Sequence, residues 1–369
     1  MTGSYVFFFL LYLFGWLTSS PYKPSQSSSQ TNVSIIIPAR NEAPNISLLL
    51  NDLLKQSYPD SLYEIIVVDD FSEDNTCQIV RAVDNPKIRL LQLKDFVTKE
   101  ERIVSYKKKA IEIAIANSSG ELIVTTDADC SINENWLRTI VGFYEEKKCR
   151  MIVAPVLIKE EKNFFSKFQS LDLLGLLGIT GATLRLNFPT MCNGANLAFE
   201  KKIFYEVNGY GGISENSSGD DMLLMHKIAE RWSGGVKFLK NKEAIVFTSA
   251  QKTFSTFLMQ RMRWTSKSKS YSGWKIKLNL LLIYLFNFSV LVSLFMAIIN
   301  TGLWPVLLFQ IATKFILDFI FLSEVTNFFD SRRLLWLFLP IEAMHVIYIV
   351  IVGFAGNFFR TIWKGRRVT

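Results

Sequence analysis

"ELIVTTDADCS", residues 121–131, carries a run of apolar and β-branched side chains straight into two aspartates separated by one alanine. A short run of this kind reads as a strand buried on both faces, and such strands belong to parallel sheets covered by helices. Working outward from it, "VSIII" (33–37), "EIIVV" (64–68), "IRLLQL" (88–93) and "MIVAPV" (151–156) repeat the pattern. Amphipathic stretches near 46–56, 74–83, 107–117 and 135–147 separate these runs and predict helices. The alternation predicts an α/β fold built on a mainly parallel sheet. Ligands of such sheets bind past the carboxyl ends of the strands, which is where Arg40, Asp70 and Asp127 fall.

Composition then divides the chain. Of its 369 residues 49% are hydrophobic and 20% charged, with a net charge of +8, too apolar for an ordinary soluble domain. Charged residues concentrate between Arg40 and Lys269. Beyond them, three apolar stretches (278–299, 303–322 and 334–355) each reach the roughly 20 residues that cross a bilayer core. "YVFFFLLYLFGWL" (5–17) is uncharged but shorter; lacking a basic leader and a small-residue cleavage site, it reads as an anchor rather than a removable signal. The expected organisation is an N-terminal membrane anchor (1–20), a Ser/Gln/Pro-rich linker (21–32), the α/β domain (33–252), an interfacial helix (253–275), three transmembrane segments (276–356) and a basic tail (357–369) with Arg360, Lys364, Arg366 and Arg367. Lys314 with Asp318, and Glu342 with His345, are costly in lipid and should face the bundle interior, as satisfied pairs or along an acceptor path. The basic residues gather near apolar stretches without any nucleic-acid motif, which argues for membrane lipid and against nucleic acid as partner. Four cysteines without C-x-x-C spacing and only two histidines give no zinc cluster.

Three acidic pairs could carry chemistry. Asp127 and Asp129, two apart, would share one side of a regular strand, where their hard oxygens suit Mg²⁺ or Mn²⁺ bridging a diphosphate; the competing role is a turn that caps the next helix. Asp69 and Asp70 end an earlier strand, and Asp70 can accept a hydrogen bond from a base or a ribose hydroxyl, while Ser72, Asp74 and Thr76 look like helix-capping residues. Asp220 and Asp221 open a helix after a Gly/Ser-rich loop; one suits the helix dipole and the other could take a proton from an acceptor hydroxyl. Lys107, Lys108 and Lys109 could neutralise a diphosphate or be surface charge. "MQRMRW" sets Gln260, Arg263 and Trp264 just before the membrane segments, where an arginine can grip phosphate and an indole can stack on a sugar, or both can simply mark a membrane edge.

Taken in order, "VSIIIPARNE", "EIIVVDDFSEDNT", "KKKAIEIAI", "TTDADC", "CNGANLAFEKKIFYEVNGY", "SGDDMLLMHKI" and "QRMRW" resemble the family 2 inverting glycosyltransferases of GT-A fold, in the membrane-bound branch with cellulose, hyaluronan and poly-N-acetylglucosamine synthases and ceramide glucosyltransferases. The resemblance covers roughly 33–264. It implies a Rossmann-like GT-A catalytic domain flanked by transmembrane helices, with Pro38, Ala39, Glu42 and Asp70 around the nucleotide base. It places Asp127 toward ribose or diphosphate, Asp129 on a Mg²⁺ or Mn²⁺ ion, and the Lys107 region on the diphosphate. Asn193, Gly194 and Asn196 would line the acceptor side. The family's Glu-Asp pair reads Asp220-Asp221 here, so its catalytic base falls on Asp221, with Asp220 the other candidate. Arg263 would help hold the diphosphate, and Gln260 and Trp264 would meet the acceptor. The implied partners are a nucleotide sugar, expected to be a UDP-sugar, and a lipid-linked or glycan acceptor. The expected setting is the bacterial plasma membrane with the catalytic domain cytosolic. A processive polysaccharide synthase is the nearest alternative, and an inactive scaffold for polysaccharide assembly is the alternative of another class. A glycoside hydrolase would need no nucleotide-facing aspartates, and no G-x-G-x-x-G follows any strand to support a dinucleotide enzyme.

Overall fold

The computed structural model describes residues 1–24, 30–98, 105–159, 161–211, 219–267, 271, 273–358, 361–363 and 366–368. Arg360 and Lys364 of the basic tail lie outside them. In chain order the elements are α1 (Thr2–Thr18), β1 (Val33–Ala39), α2 (Ile46–Leu54), β2 (Tyr63–Asp69), α3 (Thr76–Ala82) and β3 (Ile88–Gln92). Then come α4 (Tyr106–Ala116), β4 (Leu122–Thr125), β5 (Ser131–Ile132), α5 (Trp136–Lys147), β6 (Met151–Val153), β7 (Val156–Ile158) and α6 (Phe164–Arg185). β8 (Leu197–Glu200), α7 (Lys201–Glu206), α8 (Asp220–Arg231), β9 (Val236–Phe238), β10 (Val246–Thr248) and α9 (Phe254–Ser266) follow. The chain closes with α10 (Trp274–Ile299), α11 (Trp304–Phe328), α12 (Phe338–Phe358) and a hairpin of β11 (Thr361–Trp363) and β12 (Arg366–Val368). Two compact units form: Ser20–Lys159 with Asn187–Ser249, and Met1–Ser19 with Glu160–Leu186 and Ala250–Thr369.

The first unit is the α/β domain. Its seven-stranded sheet has the order β3-β2-β1-β4-β8-β6-β9. Strands β3, β2, β1 and β4 are parallel, β8 runs antiparallel to both β4 and β6, and β9 is parallel to β6. The two-residue period of the strands divides their side chains. Ile35, Ile37, Ile65, Val67 and Val124 join a core with Leu49, Leu50 and Leu53 of α2 and Trp136, Leu137 and Ile140 of α5. Ile36, Ile66, Val68 and Ile123 are buried outside that cluster, and α4 packs across β1 and β2. The apolar run "MIVAPV" becomes two strands because Pro155 cannot donate to a ladder: β6 joins the large sheet and β7 a small one ordered β5-β10-β7.

Gly120 sets the spacing of β1 and β4. A Cβ there would lie 2.5 Å from the Ser34 backbone nitrogen and 2.6 Å from the Val33 carbonyl carbon. Backbone cannot yield as a side chain can, so Gly120→Val is expected to destabilise the chain by at least about 1–3 kcal/mol, read as a lowered melting temperature in detergent micelles.

The second unit is helical. Three helices, Trp274–Ile299, Thr301–Phe328 and Arg332–Phe358, are long and apolar enough to cross a membrane, and α1 is a shorter apolar helix. A segment that composition left inside 33–252 belongs to this unit: α6, whose N-terminus is closed by a capping box between Asn163 and Ser166. A Cβ on Gly15 of α1 would lie 2.5 Å from the Ala182 carbonyl oxygen of α6, so a glycine lets the two backbones meet. The 253–275 stretch resolves into α9, capped by Thr253 and Thr256, and the start of α10. Helix α9 packs along α12.

The interior of this unit is ionic. Lys314 Nζ lies 2.6 Å from Asp318 Oδ2 and 2.5 Å from Glu342 Oε1, and the lysine is 1% exposed. The Tyr5 hydroxyl donates to Asp318 at 2.5 Å, tying α1 to α11. His345 lies 3.7 Å from Glu342 and 3.5 Å from Asp172 of α6. The two charge pairs expected from the sequence are therefore one network. Arg261 closes it at 2.6 Å from Asp172. Burial alone would raise the Asp172 carboxyl pKa, but Arg261 and His345 beside it hold it below its ordinary value.

Candidate active site

Register brings the candidate donor residues to one edge of the sheet. Ala39 pairs with Asp69 and Ile36 with Thr125, so the carboxyl ends of β1, β2 and β4 open together. Because β8 is antiparallel, its first residue Leu197 pairs with Thr125, and Asn193–Asn196 arrive at the same edge.

The loops after β1 and β2 are stitched to each other. Arg40 donates to the carbonyls of Asp70 (2.8 Å) and Phe71 (3.2 Å). The Asn41 amide donates to Ser72 Oγ and the Glu73 amide to Asn41 Oδ1. The Ala43 amide donates to Asp74 Oδ2 and the Glu42 amide to Thr76 Oγ1. Asn41 and Phe71 both take φ of 52°, a left-handed conformation that costs a non-glycine residue and that these bonds sustain. Ser72, Asp74 and Thr76 therefore hold these two loops together; Asp74 Oδ1 also accepts from the Thr76 amide at the start of α3 (3.0 Å), while the N-cap residue Asn75 makes no side-chain cap. Within this frame Ala39, Glu42 and Asp70 are buried and Pro38 is half-buried.

The opening motif departs from its expected geometry. Strand β4 ends at Thr125, and Asp127 and Asp129 occupy a turn closed by the Cys130 amide donating to the Asp127 carbonyl at 3.1 Å. They do not share a strand face; the turn leaves Asp129 exposed and Asp127 half-buried. Lys107 Nζ donates to Asp127 Oδ1 at 2.7 Å, which joins Lys107 to this turn, and Lys108 is buried. Among the described residues no cluster of three or more His, Cys, Asp or Glu could hold a metal. Two hard carboxylates on an open turn nevertheless fit a Mg²⁺ or Mn²⁺ ion, a hard cation that takes oxygen ligands and is often held by only one or two carboxylates.

Asp221 sits at the start of α8, behind Gly219 at φ 88°. Its Oδ2 accepts from the Gly194 amide and its Oδ1 from the Met222 amide, both at 2.9 Å. The Gly194 carbonyl in turn accepts from Thr125 Oγ1 at 2.9 Å. Asp221 is thus two hydrogen bonds from the end of β4, a link through Thr125 that no motif announced. Asp220 is the first residue of α8. Asn193 makes a turn, its Oδ1 accepting from the Ala195 amide. Asn196 corrects the expectation of an acceptor contact: it is fully buried, accepting from Trp136 Nε1 (3.0 Å) and donating to the carbonyls of Pro155 and Ala244. Its amide braces α5 and the β6–β7 break.

In the helical unit, Gln260, Arg263 and Trp264 lie half-buried on α9. The guanidinium of Arg261, between them in sequence, stacks 4.1 Å from the centroid of the Trp264 ring. Asp172 and Arg261 belong to none of the candidate acidic or phosphate-gripping residues of the sequence, although an acid alone among the apolar residues of "LDLLGLLG" is itself a signal of a buried partner.

Comparison with known proteins accords with these features. The chain is 39% identical over 109 residues to glycosyltransferase AglE of Haloferax volcanii (28% of this chain, 33% of that protein). It is 26% identical over 155 residues to a beta-monoglucosyldiacylglycerol synthase of Trichormus variabilis (41% of this chain, 32% of that protein). The matches thus span about a third of these curated relatives. Among solved structures, the mannosyltransferase PcManGT from Pyrobaculum calidifontis, in complex with GDP-Man and Mn²⁺, shares the fold with a TM-score of 0.58 at 18% identity, over 97% of each chain. The family model described as glycosyl transferase family 2 matches residues 34–207. With the model of glycosyl transferase family group 2 matching residues 122–355, more than half the chain, the protein belongs to the family 2 glycosyl transferases.

Proposed function

We propose that the protein is a membrane-bound inverting glycosyltransferase that moves a sugar from a nucleotide sugar, a UDP-sugar, to a hydroxyl of a lipid-linked or glycan acceptor. The observation that carries this reading is the hydrogen-bonded line Thr125–Gly194–Asp221, which joins a candidate base to the end of the strand leading into the Asp127–Asp129 turn. Asp70, with Pro38, Ala39 and Glu42, receives the nucleoside. Asp127 and Asp129 would hold a Mg²⁺ or Mn²⁺ ion, which would supply positive charge to the leaving diphosphate. Lys107 turns its ammonium from Asp127 to that diphosphate, and Arg263 adds a second cation. Asp221 takes the proton of the acceptor hydroxyl as its oxygen bonds the anomeric carbon and the bond to the diphosphate breaks on the opposite face. Gln260 and Trp264 meet the acceptor. A lipid hydroxyl is favoured as acceptor by the apolar helices and by the likeness to a glucosyldiacylglycerol synthase. Nucleotide sugars are cytosolic, which sets the α/β domain on the inner face of a bacterial plasma membrane.

The test is a donor panel of UDP-glucose, UDP-N-acetylglucosamine and GDP-mannose on the full chain in phospholipid nanodiscs, with dioleoylglycerol or octyl glucoside as acceptor and product mass as readout. One added hexose supports single transfer, a ladder supports a processive synthase, and no nucleotide-dependent product refutes the reading. Asp129→Ala is expected to weaken donor binding by about tenfold or more, and excess chelator to stop the wild type; undiminished transfer in chelator would remove the metal from the mechanism.

A further inference from the structure

Arg261 is the most enclosed charged side chain of α9, 4% exposed. Its Nη2 lies 2.6 Å from Asp172 Oδ2, and its guanidinium lies over both the Trp264 ring at 4.1 Å and the Phe257 ring at 4.9 Å. Phe257, Arg261 and Trp264 are spaced i, i+4, i+7, so they form one stripe of the helix. Arg263, two residues beyond Arg261, lies about 200° around the helix and off that stripe. A guanidinium paired with a carboxylate and lying over an indole restrains the ring against rotation and tilt. Asp172 is itself held by His345, which neighbours Glu342, which pairs with Lys314. A continuous line of charged contacts thus runs from α11 through α12 and α6 to the indole.

The geometry points to Arg261 and Asp172 as positioning residues that fix the Trp264 indole for the acceptor, with the bundle interior as their anchor. This rests on the reading of Trp264 as an acceptor-side residue. An indole has two faces; Arg261 takes one, and a sugar ring or lipid headgroup needs the other.

The deciding variant is Asp172→Asn combined with Arg261→Gln, compared with the wild type in the same nanodiscs. Arg261→Gln alone leaves a buried carboxylate short of its cation and can misfold, whereas the double substitution removes both charges and keeps the volumes close. Hydroxyl-radical footprinting with peptide mass spectrometry reads oxidation at Trp264, with the exposed Trp274 (67%) and Trp336 (90%) as internal references. Trp264 oxidation is expected to rise severalfold in the double variant while the references stay constant. With UDP-glucose and dioleoylglycerol, the acceptor KM is expected to rise about tenfold as the ring loses its fixed position, with donor KM and acceptor-free UDP-glucose hydrolysis unchanged. Unchanged Trp264 oxidation overturns the proposal, and so does raised oxidation with an unchanged acceptor KM. A wild type that transfers no sugar counts against the glycosyltransferase reading instead, and the footprint still decides whether the pair positions the indole.

Discussion

Asp221→Asn is expected to lower turnover by roughly 10²–10⁴-fold, the contribution typical of a positioned general base, while leaving donor KM nearly unchanged. The amide keeps the shape of the carboxylate but cannot receive the acceptor proton. Geometry adds a second consequence. Both carboxylate oxygens accept backbone amides, from Gly194 and Met222, and an asparagine has only one acceptor oxygen. One N–H must face an NH₂ group, a loss below the roughly 1–3 kcal/mol of a fully buried group because this site is only part-buried, so the variant's melting temperature should be measured beside its rate. Asp220→Asn, at the first position of α8, separates the two candidates. It is expected to retain most of the activity; if instead it alone abolishes turnover, the base is Asp220.

Lys314→Met is expected to destabilise the helical unit by about 3–5 kcal/mol, because it strands buried carboxylates without a cation. Asp318 and Glu342 lie 2.6 and 2.5 Å from its ammonium. The lysine is 1% exposed, so the loss is screened little by solvent or salt. Thermal unfolding in detergent micelles would show it. The triple variant Lys314→Met, Asp318→Leu, Glu342→Met is expected to recover most of the loss, since an apolar replacement of a whole buried ionic group is often neutral. If the triple variant melts as low as the single one, the cost lies in the Tyr5 hydroxyl, which loses its Asp318 acceptor and its Lys314 donor in that variant, and adding Tyr5→Phe is then expected to restore stability.

The readable part of the site was its backbone scaffold. Strands buried on both faces leave continuous β-branched runs, so "VSIII", "EIIVV" and "ELIVTT" announced both the parallel sheet and the edge where it opens. The side-chain partners were less legible. Asp127 and Asp129 looked like neighbours on a strand face, yet the strand stops two residues earlier and a turn re-aims them. Asn196 stands in a motif that resembles an acceptor loop, but its amide is consumed by Trp136, Pro155 and Ala244, none within 30 residues of it in the chain. Such partners are chosen by contacts between distant segments, which no local pattern encodes.

The sequence by itself determined which segments bury on two faces, which are apolar over a bilayer's thickness, and which carboxylates sit at strand ends, because each of these is a matter of local pattern and period. Only the tertiary structure decided that α6 leaves the α/β domain for the helical unit, that Lys107 faces Asp127, and that Asp172, Arg261, His345, Glu342 and Lys314 form one network. The reason is physical: a buried charge must find its counter-charge wherever packing brings one close, and packing joins residues that the chain keeps far apart.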